Sequence, residues 1–206
     1  MARRRRRRAP VRRLLTVLIL CGVVVAIGLA VHQSMPGWYA RLWYPLEYEA
    51  AVTRDAARNG VDPALVAAVA WRESGFDASA ISHGGAVGVM QVLPSTARFI
   101  EAADDPPPGR AHDLSDPDVN ISFGAWYLRY LLDAHQGSAP AALAAYNAGP
   151  ETLRTWRAAA AARGADFRVP EDVPFAETRQ YVVDVLDAWA IYREAYGDRL
   201  GRAPGG

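Results

Sequence analysis

The chain has 206 residues, of which 51% are hydrophobic and 22% are charged, and its formal net charge is +1. This balance excludes a disordered chain and a collagen-like repeat, and the single Cys21 excludes an intramolecular disulfide framework. All 23 basic residues are arginine, and eight of them precede residue 14 with no acid among them, which leaves a net charge of −7 on the remainder. An acidic remainder argues against a nucleic-acid-binding domain.

An uncharged apolar run of 18 residues, 14–31, follows these arginines directly. A membrane-spanning helix needs about 20 apolar residues, whereas the core of a cleaved signal has about 7–15. The length therefore favours an uncleaved single-pass transmembrane anchor, with residues 1–13 as a basic cytoplasmic segment and the following domain on the outer side. A cleaved signal is the alternative, because residues 28–30 allow a weak cleavage site, and it would yield a secreted protein.

Residues 32–43 are predicted to be a linker between this anchor and the folded domain. Trp38, Tyr39, Trp43 and Tyr44 lie within or next to the linker, where aromatic residues are enriched at the membrane–water interface. The alternative is that some of these rings pack on the following domain.

From residue 44 onward, apolar residues recur with helical spacing, and no long alternating pattern predicts a β-strand. Asp-Pro start signals and glycine stops predict one all-α domain over residues 44–197, with a disordered tail over 198–206. Residues 79–91 and 104–109 are predicted loops. The predicted helices cover residues 45–59, 63–74, 94–103, 117–135, 139–148, 150–162 and 174–197.

Glu73 is the residue whose position in its helix points to chemistry. It lies four residues after Val69 and three after Ala70, so the helical period places it on the apolar face of the helix predicted over 63–74. Apolar neighbours, the negative end of the helix dipole and the lack of an adjacent partner should raise the pKa of its carboxyl, as a general acid requires. The alternative is a structural glutamate whose carboxylate lies in water or pairs with an arginine.

Two further segments contain residues that suit ligand binding. The glycine-rich loop at 84–88 precedes Met90 and Gln91, and glycines let a ligand approach the backbone closely. Tyr146 and Asn147 lie at a helix end among alanines, where small side chains leave room for a substrate. The same asparagine followed by Gly149 also fits a simple helix C-cap, and the spacing does not distinguish the two interpretations.

Four motifs together resemble the lytic transglycosylases related to goose-type lysozyme, the soluble-lytic-transglycosylase-like family. They occur in family order over about three-quarters of the chain: WRESGFD at 71–77, GAVGVMQVLPSTA at 85–97, AAYNAGP at 144–150 and PFAETRQYV at 174–182. The resemblance implies an all-α, lysozyme-like helical domain with a substrate groove. It also implies that the substrate is the peptidoglycan glycan strand and that the anchor lies in a bacterial cell membrane, with the domain on the cell-wall side.

The resemblance implies a reaction as well. Glu73 matches the family's single catalytic acid and base, which cleaves the β-1,4 bond between N-acetylmuramic acid and N-acetylglucosamine and forms a 1,6-anhydromuramic acid end. Most glycosidases use two carboxylates. Here the 2-acetamido group of the substrate is expected to stabilise the positive charge at C1, so that a second catalytic carboxylate is unnecessary.

The family roles of the first two motifs carry over residue by residue. Ser74 would hold the acetamido group or orient Glu73, and Met90 and Gln91 would line the sugar subsites. A plain packing role for Met90 is the alternative.

The roles of the last two motifs carry over in the same way. Tyr146 would hydrogen-bond the carboxyl of Glu73, and Asn147 would bind sugar. Glu177 and Tyr181 would close the groove from the last helix. The alternatives are that Glu177 only complements the helix dipole and that Tyr181 belongs to the core.

Two other functions remain open at this point. A lysozyme-type muramidase would use the same fold and acid with water as the nucleophile, and a glycan-binding scaffold would turn over little substrate. Neither a His/Cys cluster nor a carboxylate-rich calcium loop occurs, so no metal or other cofactor is expected. The expected partners are glycan strands and the membrane, whereas endo- versus exo-cleavage, oligomeric state and protein partners are not determined by the sequence.

Overall fold

A computed structural model describes residues 9–34 and 36–201. The expectations for residues 1–8 and 202–206 lie outside the described residues. The chain divides into two units, residues 1–43 and residues 44–206. The helices of the described residues are α1 (Ala9–Ser34), α2 (Gly37–Trp43), α3 (Glu49–Asn59), α4 (Pro63–Ser74), α5 (Pro94–Glu101), α6 (Pro117–Ala134), α7 (Ala139–Ala148), α8 (Pro150–Ala161) and α9 (Ala176–Leu200).

The first unit contains α1 and α2. The large apolar side chains of α1 from Leu14 to Ile27 are exposed in this unit. Residues 37–43, which lie within the predicted linker over 32–43, form α2. Across residues 9–34 and 36–201, the structure contains no helix with the combination of length and apolar character that crossing a membrane demands.

The second unit is a helical domain built around α4. Residues 63–70 of this helix are all buried, and α4 packs most extensively against α9, with further contacts to α3 and α6. The fold confirms the all-α prediction for the part of the chain that is described, apart from two isolated bridges in the loop between α4 and α5. This central helix is the element that presents Glu73.

The ends of α4 follow the start and stop signals in the sequence. The carboxylate of Asp62 accepts a hydrogen bond from the backbone N–H of Ala64 at 2.9 Å, and Pro63 occupies the first helical position. Gly75 ends the helix with a φ of 64°, a left-handed conformation that glycine adopts without steric cost. Because both ends are fixed locally, the predicted bounds of this helix are confirmed.

Two helices differ from their predicted bounds for reasons of tertiary packing. α3 begins at Glu49 instead of residue 45, because Tyr48 has a left-handed φ of 47°. Upstream, the carbonyl of Pro45 accepts a hydrogen bond at 2.6 Å from Tyr192 on α9. α9 continues to Leu200, which is buried, so residues 198–200 belong to the helix and the predicted tail does not begin at residue 198.

Tyr44 packs on the helical domain. Its ring centroid lies 4.6 Å from that of Trp71 and 6.2 Å from that of Tyr192. Its carbonyl also accepts a hydrogen bond at 2.8 Å from the hydroxyl of Tyr196. For this one of the four aromatic residues, the packing alternative is therefore correct.

Gly124 in α6 allows the loop after α4 to approach the helix closely. A Cβ on Gly124 would lie 2.4 Å from Met90 Sδ and 2.7 Å from Met90 Cβ, both too short for a real contact. Gly124→Ala should therefore lower the free energy of unfolding by about 1–3 kcal/mol, because Met90 and its loop must move.

Gly197→Ala in α9 is the matched control, because nothing lies within 4 Å of its added Cβ. Alanine is the better helix former, so this change should raise stability by about 0.5–1 kcal/mol. Urea denaturation of the two variants measures both effects. Equal stabilities for the Gly124 variant and the parent chain would show that the loop is not held against α6.

Candidate active site

The carboxyl of Glu73 lies at the C-terminal end of α4, in a partly exposed position among buried groups. Its Oε1 accepts a hydrogen bond of 2.7 Å from the hydroxyl of Tyr181, which α9 contributes. Tyr181 is 1% exposed, and α9 is the helix against which α4 packs most extensively. Among the described residues, Tyr181 is the only side chain that donates a hydrogen bond to Glu73. The packing of α9 against α4 therefore sets the position of this donor.

Burial raises the pKa of Glu73 from 4.5 to about 7. Two smaller effects act in the opposite direction: the hydrogen bond from Tyr181 and the positive charge of Arg72 both favour the carboxylate. Desolvation is the larger effect, so the group titrates near neutral pH. The predicted rise in the pKa is confirmed, with the apolar surroundings as its main cause.

Arg72 does not form an ion pair with Glu73, because another acid holds its guanidinium. Its Nε lies 2.8 Å from Asp184 Oδ2 on α9, and its guanidinium carbon lies 5.5 Å from the centre of the Tyr181 ring. An arginine bound directly to the Glu73 carboxyl would strongly lower its pKa. The pair with Asp184 instead keeps Arg72 beside the tyrosine and leaves Glu73 able to hold a proton.

Three polar side chains form hydrogen bonds with the backbone of the loop between α4 and α5, at the adjacent residues Val89 and Met90. The hydroxyl of Ser74 donates to the carbonyl of Val89 at 2.7 Å, and the hydroxyl of Tyr146 donates to the carbonyl of Met90 at 2.9 Å. Asn120, which is fully buried, accepts a hydrogen bond of 2.7 Å from the N–H of Met90. These bonds fix the loop beside Glu73 and leave few of its polar groups unpaired.

Three of the predicted site residues make contacts within the domain that the sequence did not predict. The hydroxyl of Tyr146 donates to the carbonyl of Met90 instead of to Glu73. The hydroxyl that donates to Glu73 belongs to Tyr181. The hydroxyl of Ser74 donates to the carbonyl of Val89 and not to the Glu73 carboxyl, while its other predicted role, holding the acetamido group, stays a prediction. The side chain of Met90 is fully buried against α6, which agrees with the packing alternative, while its role in lining a sugar subsite stays a prediction.

The remaining predicted residues are Gln91, Asn147 and Glu177, and they differ in exposure. Gln91 has a left-handed φ of 49° and donates through Nε2 to the carbonyls of Gly88 and Ala80, at 2.9 and 3.1 Å. Asn147 is exposed and accepts a hydrogen bond of 2.8 Å from Thr178. Glu177 is exposed in the first turn of α9.

Several of the predicted site residues line one depression of about 270 Å³. Gln91, Tyr146 and Asn147 line it together with Thr96 and Tyr127. Tyr146 keeps its proton at all ordinary pH values, because burial and the nearby charge of Glu73 raise the pKa of its hydroxyl well above the usual range. The depression therefore offers hydroxyl and amide groups beside one titrating carboxyl.

No metal-binding cluster of three or more His, Cys, Asp or Glu side chains occurs among the described residues. Asp77, the acid nearest in sequence to Glu73, is fully exposed. Its carboxylate accepts hydrogen bonds from the N–H and the hydroxyl of Ser79, and these bonds lower its pKa. Burial is thus the main influence on the pKa of Glu73, and hydrogen bonds are the main influence on that of Asp77.

Sequence reasoning missed two residues that shape the site. Asn120 fastens the loop from α6, and Thr178 holds the side chain of Asn147 from α9. The sequence contains a feature from which the role of Asn120 could have been predicted. It lies one turn before the glycine of α6, on the buried side of that helix, where an amide needs buried partners.

The packing of helices around one buried acid in a groove defines the lysozyme-like class of helical domains. Comparison with known proteins places the chain more closely. The family model described as the Transglycosylase SLT domain matches residues 50–167, which is more than half of the chain. The chain belongs to this family.

Three relatives are similar over part of their own length. The soluble lytic murein transglycosylase of Salmonella typhimurium is 34% identical over 181 residues, which are 83% of this chain and 27% of the relative. The crystal structure of the 70-kDa soluble lytic transglycosylase of Escherichia coli has a TM-score of 0.69 at 32% identity, over 81% of this chain and 28% of that one. The membrane-bound lytic murein transglycosylase C of Actinobacillus pleuropneumoniae is 35% identical over 120 residues, 53% of this chain and 31% of the relative. The chain thus spans about a quarter to a third of each relative.

The raised pKa of Glu73 predicts a pH-dependent stability that glutamine at this position would remove. The pKa of about 7 in the folded chain lies above the ordinary glutamate value of 4.5, so the folded state keeps a proton that the unfolded state has released. Stability should therefore fall as the pH rises from about 4.5 to 7, by about 3 kcal/mol in total for this one group. Glu73→Gln should lack this loss.

Chemical denaturation at a series of pH values measures the effect as the difference between Glu73→Gln and the parent chain. Glu194→Gln is the matched control, because Glu194 is an exposed glutamate on α9. The control should follow the parent curve at every pH. Parallel curves for the parent and Glu73→Gln would mean that Glu73 titrates like an exposed carboxylate.

Proposed function

We propose that the chain is a peptidoglycan lytic transglycosylase. It cleaves the β-1,4 bond between N-acetylmuramic acid and N-acetylglucosamine and leaves a 1,6-anhydromuramic acid end. The observation that supports this most is a carboxyl whose pKa burial raises to about 7, at the C-terminal end of the central helix. Membership of the Transglycosylase SLT family supports the choice of substrate.

In the first step, protonated Glu73 donates its proton to the oxygen between the two sugars. The bond from that oxygen to C1 of the muramic acid breaks, and N-acetylglucosamine leaves with the proton. The 2-acetamido group of the muramic acid stabilises the positive charge at C1. A pKa near 7 suits this step, because a large share of the group still carries its proton at neutral pH.

In the second step, the C6 hydroxyl of the muramic acid attacks C1 and closes the anhydro ring. The carboxylate of Glu73 takes the proton of that hydroxyl and returns to its starting state. The ring closure consumes no water. Glu73 serves as the acid in the first step and as the base in the second. Tyr181 stabilises the carboxylate between the two steps through its hydrogen bond of 2.7 Å.

The lining of the groove supports a role in sugar binding for several predicted residues. Gln91, Asn147 and Tyr146 line the depression of about 270 Å³. Glu177 lies exposed on α9, one turn before Tyr181, from where it would close the groove over the strand. Ser74 and Met90 act indirectly, through the loop whose backbone borders the site.

The first test is the replacement of Glu73 by glutamine. Glu73→Gln should lower strand cleavage by at least about 10²–10⁴-fold, because general acid and base catalysis are both lost. The fold and glycan binding should persist, since the amide is nearly isosteric. Cleavage of purified sacculi, with mass spectrometry of the products, measures the loss in parallel with the thermal melt.

The exposed control Glu194→Gln should cleave at the parental rate. Anhydro ends in the parental digest indicate transglycosylation, and reducing ends would indicate a lysozyme-type muramidase instead. Binding of sacculi without turnover by the parent chain would identify a glycan-binding scaffold. Full activity of Glu73→Gln would remove this residue from the mechanism.

We also propose that residues 14–31 attach the domain to the bacterial cell membrane, with the N-terminus in the cytoplasm. This proposal rests on the sequence: an 18-residue apolar run follows eight arginines. Similarity to a membrane-bound lytic transglycosylase adds to its support.

Protease added to intact spheroplasts tests this topology. It should degrade residues 44–197 while a cytoplasmic marker protein survives. Protection of the domain would reverse the proposed orientation. A mature protein that starts near residue 31 would show a cleaved signal and a secreted enzyme.

A further inference from the structure

Four aromatic side chains form a strip that leads away from the groove, here called the aromatic strip. Trp126, Tyr127 and Tyr130 project from one side of α6, as residues spaced by three and four do, and Phe99 joins them from α5. The rings of Trp126 and Tyr130 are stacked with centroids 5.8 Å apart, and those of Tyr127 and Tyr130 are stacked at 6.0 Å. Phe99 meets Tyr130 edge to face at 5.2 Å.

The aromatic strip is continuous with the candidate active site. The ring of Tyr127 lies 5.6 Å from that of Tyr146, which fastens the loop beside Glu73. A depression of about 300 Å³ shares Thr96, Tyr127 and Pro150 with the groove depression. A third depression, of about 490 Å³, shares Phe99 and Tyr130 with the second. The three depressions therefore form one continuous surface from the groove to Trp126, with aromatic residues along its whole length.

The far end of the strip presents apolar surface to solvent. Phe99 is 47% exposed and Tyr130 is 41% exposed, although both have ring neighbours that could cover them. Trp126 is held in place, because its indole N–H donates a hydrogen bond of 3.0 Å to the carbonyl of Asp105. An exposed and rigid group of rings beside a groove is typical of a binding surface.

We propose that the aromatic strip binds sugar rings of the glycan strand beyond the catalytic groove. The inference rests on the proposed function, because it assumes that the groove takes a glycan strand. An N-acetylhexosamine has an apolar C–H face, which packs on aromatic rings, and polar edges. The polar side chains that line the 490 Å³ depression, Arg58, Asn59 and Asp104, suit those edges.

The strip would give the protein a preference for long strands over short fragments. A short fragment fills the groove alone, whereas a long strand also reaches Tyr130 and Phe99. Contacts outside the reacting bond improve binding of the polymer without changing the chemistry at Glu73. Removing an outer ring should therefore weaken the binding of long strands only.

The test uses the full chain with Glu73→Gln, which prevents cleavage during the measurement. Phe99→Ala is added to this background, with Val183→Ala as the control, since Val183 is an exposed apolar residue of α9 outside the strip. Titration calorimetry compares long peptide-free glycan strands with a muropeptide-derived tetrasaccharide. Phe99→Ala should weaken binding of the long strands about fivefold to tenfold and leave tetrasaccharide binding unchanged, whereas Val183→Ala should change neither.

Phe99→Leu is a second variant that keeps apolar volume but lacks the aromatic face, so it should also weaken binding of long strands even if the alanine variant folds poorly. Unchanged binding of long strands by Phe99→Leu would overturn the proposal. A loss seen only with peptide-bearing strands would assign the surface to stem peptides and overturn the sugar assignment. Failure of the Glu73→Gln chain itself to bind either probe would contradict the proposed function and this inference with it.

Discussion

The desolvation of the Glu73 carboxyl is the constraint on which the rest of the site depends. A carboxylate among apolar groups without a cationic partner is costly, so the proton binds more tightly and the pKa rises to about 7. The neighbouring Arg72 would cancel this effect if it paired with Glu73. Its ion pair with Asp184 prevents that, and the two residues meet only because α4 packs along α9.

The hydroxyl of Tyr181 limits how far the pKa rises. A fully apolar pocket would hold the proton too tightly for the group to act as a base in the second step. The hydrogen bond of 2.7 Å favours the carboxylate and so partly offsets burial. The site therefore stabilises both protonation states of one group, as a single acid and base requires.

The loop after α4 completes the site by hydrogen bonds, with little regular secondary structure of its own. Ser74, Tyr146 and Asn120 each bind its backbone, from α4, α7 and α6 respectively. Gly124 lets Met90 sink into the domain, so that the backbone of the loop comes close to α6. Three helices thus hold one loop, which couples the shape of the groove to the packing of the whole domain.

The sequence alone determined the features that depend on local interactions. Caps and stops fixed α4 at residues 63–74, and the helical period placed Glu73 on the apolar face with a raised pKa. The motifs identified the family, and the family model bears this out. The start of α3 and the end of α9 were predicted less well, because packing between α9 and the segment before α3 decides them.

Only the tertiary structure decided which side chains meet. Tyr146 and Tyr181 both carry hydroxyls and both were expected near the groove, but 108 residues separate Glu73 from its donor Tyr181 along the chain. The spacing of residues in the sequence shows which side chains are neighbours on one helix. It does not show which side chains of two different helices lie close together. The burial of Met90 and the fastening role of Asn120 depend on the approach of the loop to α6, which a side-chain pattern does not specify. The aromatic strip joins residues of α5 and α6 for the same reason: the surface that it forms exists only once the two helices are packed.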